Sequence, residues 1–373
     1  MQRAFFTLIL AAALLSAAVA RAQPVPAPQY NDEQTWALEL SKEISPGELS
    51  GAAFSAESTG TPDPLTALAL QHNIAEPDWL KARVAAQRAG TTLAAMGDSI
   101  TAGMASCSFP YYYCPDNSWS TGSLPTSVRT ELAAQSGKDV GSFLVAVPGV
   151  TMSFIPYEAY AVFLASFFGL NVQRMTLFIG HNDPGVCGAA TATQTQDFGD
   201  SYASALRILA HVASKRSARL YVASITEVPV LARYADVIPN GSQKTCRVLW
   251  KENNRCGPVT QHVDDPAALA KISAQIATYD GLLDGLAQGK SWVSYQDIFN
   301  ANSRRGLSDP ATELSRFDCF HPSVAGQGTL GRLAWQGFDG APGLADFFRF
   351  PAPALSPSLA AEMDGWTADA PRP

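Results

Sequence analysis

One serine, one histidine and one aspartate in this sequence stand where a hydrolytic site can be built. Ser99 follows Gly97 and Asp98 directly after an apolar run, and Asp318 and His321 lie close together far downstream. A hydroxyl nucleophile, an imidazole that takes its proton and a carboxylate that orients the imidazole are the three parts of a serine-hydrolase triad. The sequence therefore predicts Ser99 as the nucleophile, His321 as the base and Asp318 as the orienting acid.

Such a reaction also needs hydrogen-bond donors for the oxyanion that forms during attack. The donors we expect are the backbone N–H groups of Ser99 and Gly149 and the side-chain amide of Asn182. Neighbouring residues carry short polar side chains or no side chain, which suits them to hold tight loops by local hydrogen bonds. The residues predicted to support the site in this way are Asp98, Gly180 and Asp183.

Each of these residues also has a purely structural interpretation. Ser99 can cap a helix that begins just after it, because the first turn of a helix has unpaired N–H groups. Gly149 can serve only as a turn residue with positive φ, and Asn182 only as a side chain that stabilises its turn. The imidazole of His181, next to Asn182, has no evident role in the sequence.

The predicted secondary structure places these residues at one edge of a sheet. Short runs rich in branched apolar residues alternate with longer amphipathic segments, which predicts βα units and a parallel sheet. Ligand sites of open α/β sheets lie outside the carboxyl ends of the strands, where the polar turns of this sequence fall. The predicted strands are residues 92–96, 142–147, 175–179, 219–225 and 292–295. The predicted helices are residues 126–136, 197–215, 267–287 and 325–337.

Four blocks of the sequence, taken in order, resemble the SGNH/GDSL hydrolase superfamily. They are Gly97-Asp98-Ser99, Gly149, Gly180-x-Asn182-Asp183 and Asp318-x-x-His321-Pro322. The segments around them are similar to the phospholipase B-like and lipase branch, and the resemblance covers about residues 91–338. It implies a three-layer α/β/α sandwich of flavodoxin-like type with a parallel five-stranded sheet, a serine nucleophile, and no metal or other cofactor.

The ends of the chain differ in composition from its middle. Residues 1–22 carry Arg3, an apolar run and a small-residue cleavage site, which predicts a signal peptide and a secreted or periplasmic protein without a membrane span. Residues 23–90 are predicted to form an N-terminal extension, with one helix near residues 78–88, packed on a hydrolase domain of residues 91–340. Residues 341–373 are rich in Ala and Pro, and we expect this tail to run over the surface.

Charge and cysteine content limit the partners and cofactors. The formal net charge is −7, from 26 basic and 33 acidic residues, so nucleic acid is a poor partner. The six cysteines of an exported protein suggest up to three disulfides. Cys107 with Cys114 and Cys246 with Cys256 span short loops and are expected to pair. Cys187 and Cys319 remain, and we expect them to join the Asn182 loop to the His321 loop.

These features predict an exported serine esterase that acts on carboxylic esters, with lipids or phospholipids as the favoured class. Two alternatives remain: a carbohydrate acetyl-esterase with the same catalytic residues, and a non-catalytic binding module on a hydrolase fold. The aromatic run at residues 154–170 bears on the choice. It is either a buried helix between two strands or, in part around Phe154 and Tyr157, the lining of an acyl-binding groove.

Overall fold

The computed structural model describes residues 30–55, 63–86, 90–107 and 113–349 of the 373-residue chain. The predicted signal peptide, residues 1–22, and the last part of the predicted tail, residues 350–373, lie outside these described residues. In the described ranges we find no helix that is both long enough and apolar enough to cross a membrane.

Five parallel strands form the central sheet, as the sequence predicts. The strands are β1 (Thr91–Gly97), β2 (Val140–Leu144), β3 (Val172–Phe178), β4 (Arg219–Ala223) and β5 (Val293–Gln296). Their spatial order is β2-β1-β3-β4-β5, the order of flavodoxin-like folds. Strand β2 ends three residues before the predicted end at residue 147, although Val147 still donates a hydrogen bond to the carbonyl of Gly97 at 3.1 Å.

Helices cover both faces of this sheet, because neighbouring strand side chains point to opposite faces. Ala94 and Met96 of β1 belong to one core cluster, and Leu93, which precedes them, belongs to the other. The helices packed in the first cluster include Ile155–Phe167, Gln194–Arg216 and Pro266–Ala287. Those in the second include Val128–Ser136, Ile298–Arg305 and Val324–Gln336. The predicted three-layer α/β/α sandwich is thus confirmed.

The predicted N-terminal extension contains four helices among its described residues, of which the sequence predicted only the last. They are Asp32–Glu43, Pro46–Ser55, Pro64–Gln71 and Asp78–Ala86. They pack on the outer side of helix Ile155–Phe167, where the hydroxyl of Tyr157 donates to the carbonyl of Ile44 at 3.0 Å. A helix covered on both sides is apolar all round, which explains the aromatic run. The buried-helix interpretation is therefore confirmed, and Tyr157 lines no open acyl groove.

The first part of the predicted tail packs on the protein, contrary to our expectation. A short hairpin pairs Gly337–Phe338 with Ala341–Pro342, and helix Leu344–Phe347 follows. Leu344 is completely buried in the second core cluster. Cationic side chains of the sheet fix this segment, because Arg219 donates to the carbonyl of Phe347 at 2.7 Å. These contacts extend the packed structure to residue 349.

The disulfides correct two of the three predicted pairs. Cys107 pairs with Cys114, as expected, but Cys246 pairs with Cys319 and Cys187 pairs with Cys256. The pairing of Cys246 with Cys256 is wrong because Cys246 begins the helix Cys246–Asn253 and Cys256 lies beyond its end. Eight helical residues rise about 12 Å, whereas bridged cysteines have Cα atoms within about 7 Å.

The pairing of Cys187 with Cys319 is wrong for a related reason. The segment between β4 and the long helix Pro266–Ala287 folds into short helices, including Cys246–Asn253 and Gly257–Thr260, that stand beside both loops. Each loop is bridged to this segment, with Cα–Cα distances of 4.4 Å for Cys187–Cys256 and 5.2 Å for Cys246–Cys319. Separate disulfides therefore fix the Asn182 loop and the His321 loop to this segment.

Candidate active site

Ser99, His321 and Asp318 form one continuous chain of hydrogen bonds. His321 Nε2 lies 2.8 Å from Ser99 Oγ, and His321 Nδ1 lies 2.6 Å from Asp318 Oδ2. A carboxylate can only accept, so Nδ1 carries the proton and Nε2 accepts the hydrogen bond from the serine hydroxyl. All three residues are buried, with Ser99 6% and His321 2% exposed. The geometry is that of a nucleophile, a base and an orienting acid.

Ser99 is not a helix cap. The described residues after it form turns, and the next α-helix among them begins at Val128, where Ser127 provides the cap. The hydroxyl of Ser99 is therefore free of a capping role and faces the imidazole of His321. Gly97 makes the tight approach of this turn to β3 feasible, because its φ is +140° and a Cβ would collide with the carbonyl oxygen of Phe178.

Asp318 is held as an ionised acceptor. Its Oδ1 accepts the backbone N–H groups of Phe320 and His321, each at 3.1 Å. Burial raises the pKa of Asp318, but the charge of His321 and these hydrogen bonds outweigh burial, so its pKa lies below the ordinary value. The same three-residue turn thus positions the carboxylate and the imidazole together.

The turn around His321 is anchored from the segment that follows β4. Cys319 adopts φ +51° and is bridged to Cys246. Trp250 Nε1 donates to the carbonyl of Cys319 at 2.9 Å, and Asn253 Nδ2 donates to the carbonyl of Phe317 at 3.0 Å. Sequence reasoning missed Trp250 and Asn253, because nothing in their local pattern connects them to a turn about seventy residues away.

The predicted oxyanion donors lie on two linked loops. In the described part of the chain, neither the N–H of Ser99 nor that of Gly149 has an acceptor. Gly149 has φ +82°, the left-handed conformation that favours glycine. Asn182 Nδ2 donates one hydrogen bond to the carbonyl of Val150 at 3.0 Å, which fixes the amide beside the Gly149 turn and leaves its second N–H for another acceptor.

Two buried carboxyls lie beneath these loops. Asp183 accepts the N–H of Met152 at 3.0 Å, and burial raises its pKa to about 7. Glu158, which the sequence did not single out, accepts the N–H of Gly97 at 2.7 Å and that of Val147 at 3.0 Å. Burial raises the pKa of Glu158 well above its usual range, and the charge of Asp98 raises it further. Glu158 therefore joins the ends of β1 and β2.

A second hydrogen-bonded histidine lies beside the first. His181 Nδ1 is 2.8 Å from Asp98 Oδ2, and His181 Nε2 is 3.1 Å from Thr226 Oγ1. Gly180 allows this close packing, because its φ is +120° and a Cβ would collide with the side chain of Ile225. Sequence reasoning found Asp98 and Gly180 as supporting residues, but it had no signal for Thr226.

A cavity of about 100 Å³ borders the site. Ile100, which follows Ser99, and Phe320 and Pro322, which flank His321, line one part of it. Other apolar side chains in its lining are Val228, Val230, Leu231, Leu307, Leu314 and Leu330. Among the described residues, no group of three or more His, Cys, Asp or Glu side chains could hold a metal ion.

Sequence and structure comparisons identify known proteins to which the chain is similar. The family model of the GDSL-like lipases and acylhydrolases matches residues 93–333, whereas no curated protein matches the chain. Similar solved structures include an alpha/beta hydrolase enzyme from the metagenome of Lake Arreo, Spain, at 17% identity and TM-score 0.38, covering 65% of this chain and 92% of that one.

Two further solved structures are similar to the chain. An acetyl xylan esterase from Geobacillus stearothermophilus has 18% identity and TM-score 0.33, covering 65% of this chain and 93% of that one. The psychrotrophic esterase EstA from Pseudoalteromonas sp. has 11% identity and TM-score 0.33, covering 64% of this chain and 92% of that one. The match of the family model extends over well over half of the sequence and includes every block of the candidate site. The chain therefore belongs to the GDSL-like lipase/acylhydrolase family and is a carboxylic ester hydrolase.

Proposed function

We propose that the protein is an exported serine ester hydrolase that cleaves esters with apolar acyl chains through an acyl-enzyme on Ser99. The observation that carries this proposal is the unbroken chain from Ser99 through His321 to Asp318, with distances of 2.8 and 2.6 Å. Every member of the chain is buried and has a partner suited to its role.

The reaction begins when Ser99 Oγ attacks the carbonyl carbon of the ester. The hydroxyl proton moves to His321 Nε2, and the carbonyl oxygen becomes an oxyanion. The N–H groups of Ser99 and Gly149 and the free N–H of the Asn182 amide stabilise that charge. When the intermediate collapses, the C–O bond to the alcohol breaks and His321 returns the proton to the departing alcohol oxygen. The acyl group remains on Ser99.

Water then completes the cycle by the same route. His321 takes a proton from the water as its oxygen attacks the acyl carbon, and the proton returns to Ser99 Oγ as the carboxylic acid leaves. Asp318 accepts from Nδ1 throughout, so it fixes the tautomer and stabilises the imidazolium in both steps. The depressed pKa of Asp318 keeps it ionised at neutral pH.

The apolar cavity beside Ser99 favours lipid or phospholipid esters over carbohydrate acetates. Its lining includes Ile100 and Phe320, direct neighbours of the two reacting residues, together with Leu231 and Leu307. Each methylene group buried there gains about 0.8 kcal/mol, and a volume of about 100 Å³ accepts the first few carbons of an acyl chain. A carbohydrate acetyl-esterase needs a polar and shallow site instead. A non-catalytic binding module has no requirement for a complete Ser-His-Asp arrangement.

Two features support export. The three disulfides require an oxidising compartment to form and persist, and the first residues of the sequence have the pattern of a signal peptide. Residues 30–86, as far as the structure describes them, pack as a helical cover on the hydrolase domain, which is consistent with a single secreted unit.

The test is hydrolysis of p-nitrophenyl esters from acetyl to palmitoyl by the oxidised protein. We expect kcat/KM to rise from acetyl over the first few added carbons, which the cavity can hold, and to disappear in Ser99→Ala. Leu231→Trp fills the cavity and should lower activity on long esters at least tenfold while sparing acetate. Leu70→Trp, at a side chain that is 67% exposed, is the matched control. Activity confined to acetate and unaffected by Leu231→Trp would favour the carbohydrate esterase.

A further inference from the structure

A second Asp-His-hydroxyl chain lies next to the first. His181 donates from Nδ1 to Asp98 Oδ2 at 2.8 Å, and its Nε2 accepts from the hydroxyl of Thr226 at 3.1 Å. Asp98 is fully buried and His181 is 1% exposed. Both imidazole nitrogens therefore have partners, and the carboxylate of Asp98, which can only accept, fixes the tautomer that carries its proton on Nδ1.

This second chain connects the ends of three neighbouring strands. Asp98 follows β1 and precedes Ser99, His181 precedes Asn182 after β3, and Thr226 lies beyond the end of β4. The imidazole is also packed edge-on against the ring of Phe178, with centroids 4.6 Å apart. Among the described residues, no other hydrogen bond joins a side chain of the Ser99 turn to a side chain of the Asn182 loop.

Asp98 holds the backbone on both sides of the nucleophile. Its Oδ1 accepts the N–H of Ile100 at 2.9 Å, and its Oδ2 accepts from His181. Ser99 lies between Asp98, which supplies this carboxylate, and Ile100, whose N–H donates to it. A shift of the imidazole would therefore move the backbone N–H and the hydroxyl of Ser99 together.

We propose that His181 is a positioning residue for the ester hydrolysis proposed above: through Asp98 it sets the position of Ser99, and through the adjoining Asn182 it sets an oxyanion donor. The inference rests on the proposed function and deepens it. It also explains why an imidazole is needed at residue 181, since one rigid side chain must donate to Asp98 and accept from Thr226.

Two amide substitutions at His181 distinguish its hydrogen bond to Asp98 from its hydrogen bond to Thr226. In His181→Asn the amide nitrogen occupies the place of Nδ1 and keeps the bond to Asp98. In His181→Gln the amide lies near Nε2, so the contact with Thr226 remains and the bond to Asp98 is lost. His262→Asn and His262→Gln, at an exposed histidine, are the matched controls.

The measurement is kcat and KM on one chromogenic ester, with Tm recorded for each variant. We expect His181→Gln to lose roughly 100-fold in kcat with KM within about twofold, because misplacement of reacting groups by about 1 Å costs that much. His181→Asn should retain at least ten times the kcat of His181→Gln at a similar Tm. Equal losses in both variants that follow Tm, or wild-type kcat in His181→Gln, would overturn the proposal.

Two additional variants keep the interpretation clear. Ser99→Ala must abolish activity; if it does not, the proposed function fails, whatever His181 does. If Ser99→Ala is inactive and both His181 variants equal wild type, only the positioning role fails. Thr226→Val should cost less than His181→Gln. Covalent labelling of Thr226 by a fluorophosphonate in Ser99→Ala would show that the second chain has its own nucleophile and would overturn the positioning role.

Discussion

His321 Nε2 lies 2.8 Å from Ser99 Oγ, although 222 positions separate the two residues in the chain. The contact arises because β1 lies inside the sheet and presents Ser99 at its carboxyl end, while the turn before helix Val324–Gln336 returns to the same edge. Ser323 caps that helix by accepting the N–H of Gly326 at 3.2 Å. The start of the last long helix thus fixes where His321 stands.

Replacement of Asp318 by Asn should lower kcat by roughly 10³–10⁴-fold with little change in Tm, because an amide can donate to Nδ1 and favour the wrong tautomer of His321. The change keeps the size of the side chain. Asp200→Asn, at an exposed residue of helix Gln194–Arg216, is the control and should be neutral. Ester hydrolysis by both variants measures the effect, and a loss below tenfold in Asp318→Asn would contradict the role of Asp318.

Removal of the Cys246–Cys319 disulfide should lower both stability and kcat. The double variant Cys246→Ala/Cys319→Ala removes a disulfide with a sequence separation of 73. It thereby releases position 319, which lies between Asp318 and His321. Loss of such a bridge costs about 2–5 kcal/mol. Cys107→Ala/Cys114→Ala, with a separation of 7, is the matched comparison. Urea unfolding and kcat measured on both should show the larger activity loss in the first; identical kcat values would argue against this anchor.

Replacement of Glu158 by Gln should destabilise the fold by about 1–3 kcal/mol, because the two carboxylate oxygens accept two separate N–H groups and an amide offers only one oxygen. The lost partner is the N–H of either Gly97 or Val147. Exposed Glu39→Gln serves as the control. Chemical unfolding measures the difference, and an unchanged free energy of unfolding would mean that the buried carboxyl does not hold these strand ends.

The pH dependence of stability should carry a contribution from Asp280. Burial raises its pKa from 3.8 to about 7, while its Oδ1 accepts the N–H of Ile225 at 2.9 Å. Because the folded pKa is raised, the stabilising contribution is fully present below the unfolded pKa of 3.8 and is lost as pH rises through about 7.

The expected slope is at most about 1.4 kcal/mol per pH unit for this one group. Asp280→Asn keeps an oxygen acceptor for Ile225 and removes the titration, so its stability relative to wild type should improve from pH 4 to pH 8. Urea unfolding at several pH values measures this difference. A constant difference between the two proteins across that range would contradict the raised pKa.

Much of the fold could be predicted because its determinants are local. Continuous apolar runs identify the buried parallel strands, and the polar turns after β1 and β3 identify the edge that bears the site. The N-terminal helices gave weak signals, because their segments are short and contain Pro and Gly. Trp36 and Leu65 of this cover are nonetheless buried in the core.

The residues that the sequence could not assign act over long distances. Trp250 and Thr226 contact the site only after the chain has folded, and neither lies in a recognisable motif. The two incorrect disulfide pairs have the same origin: a short sequence separation suggested Cys246–Cys256, whereas an intervening helix keeps these cysteines apart. Glu158 was hidden inside an apolar run because its partners are backbone N–H groups of two strand ends.

Covalent labelling shows whether Ser99 is the nucleophile. The oxidised protein is treated with a fluorophosphonate, digested and mapped by mass spectrometry, with Ser99→Ala treated in parallel. We predict one label per chain, located on Ser99, together with complete loss of esterase activity, and no label in Ser99→Ala. A folded protein that hydrolyses esters but carries no label on Ser99, or that is labelled equally in Ser99→Ala, would show that Ser99 is not the nucleophile.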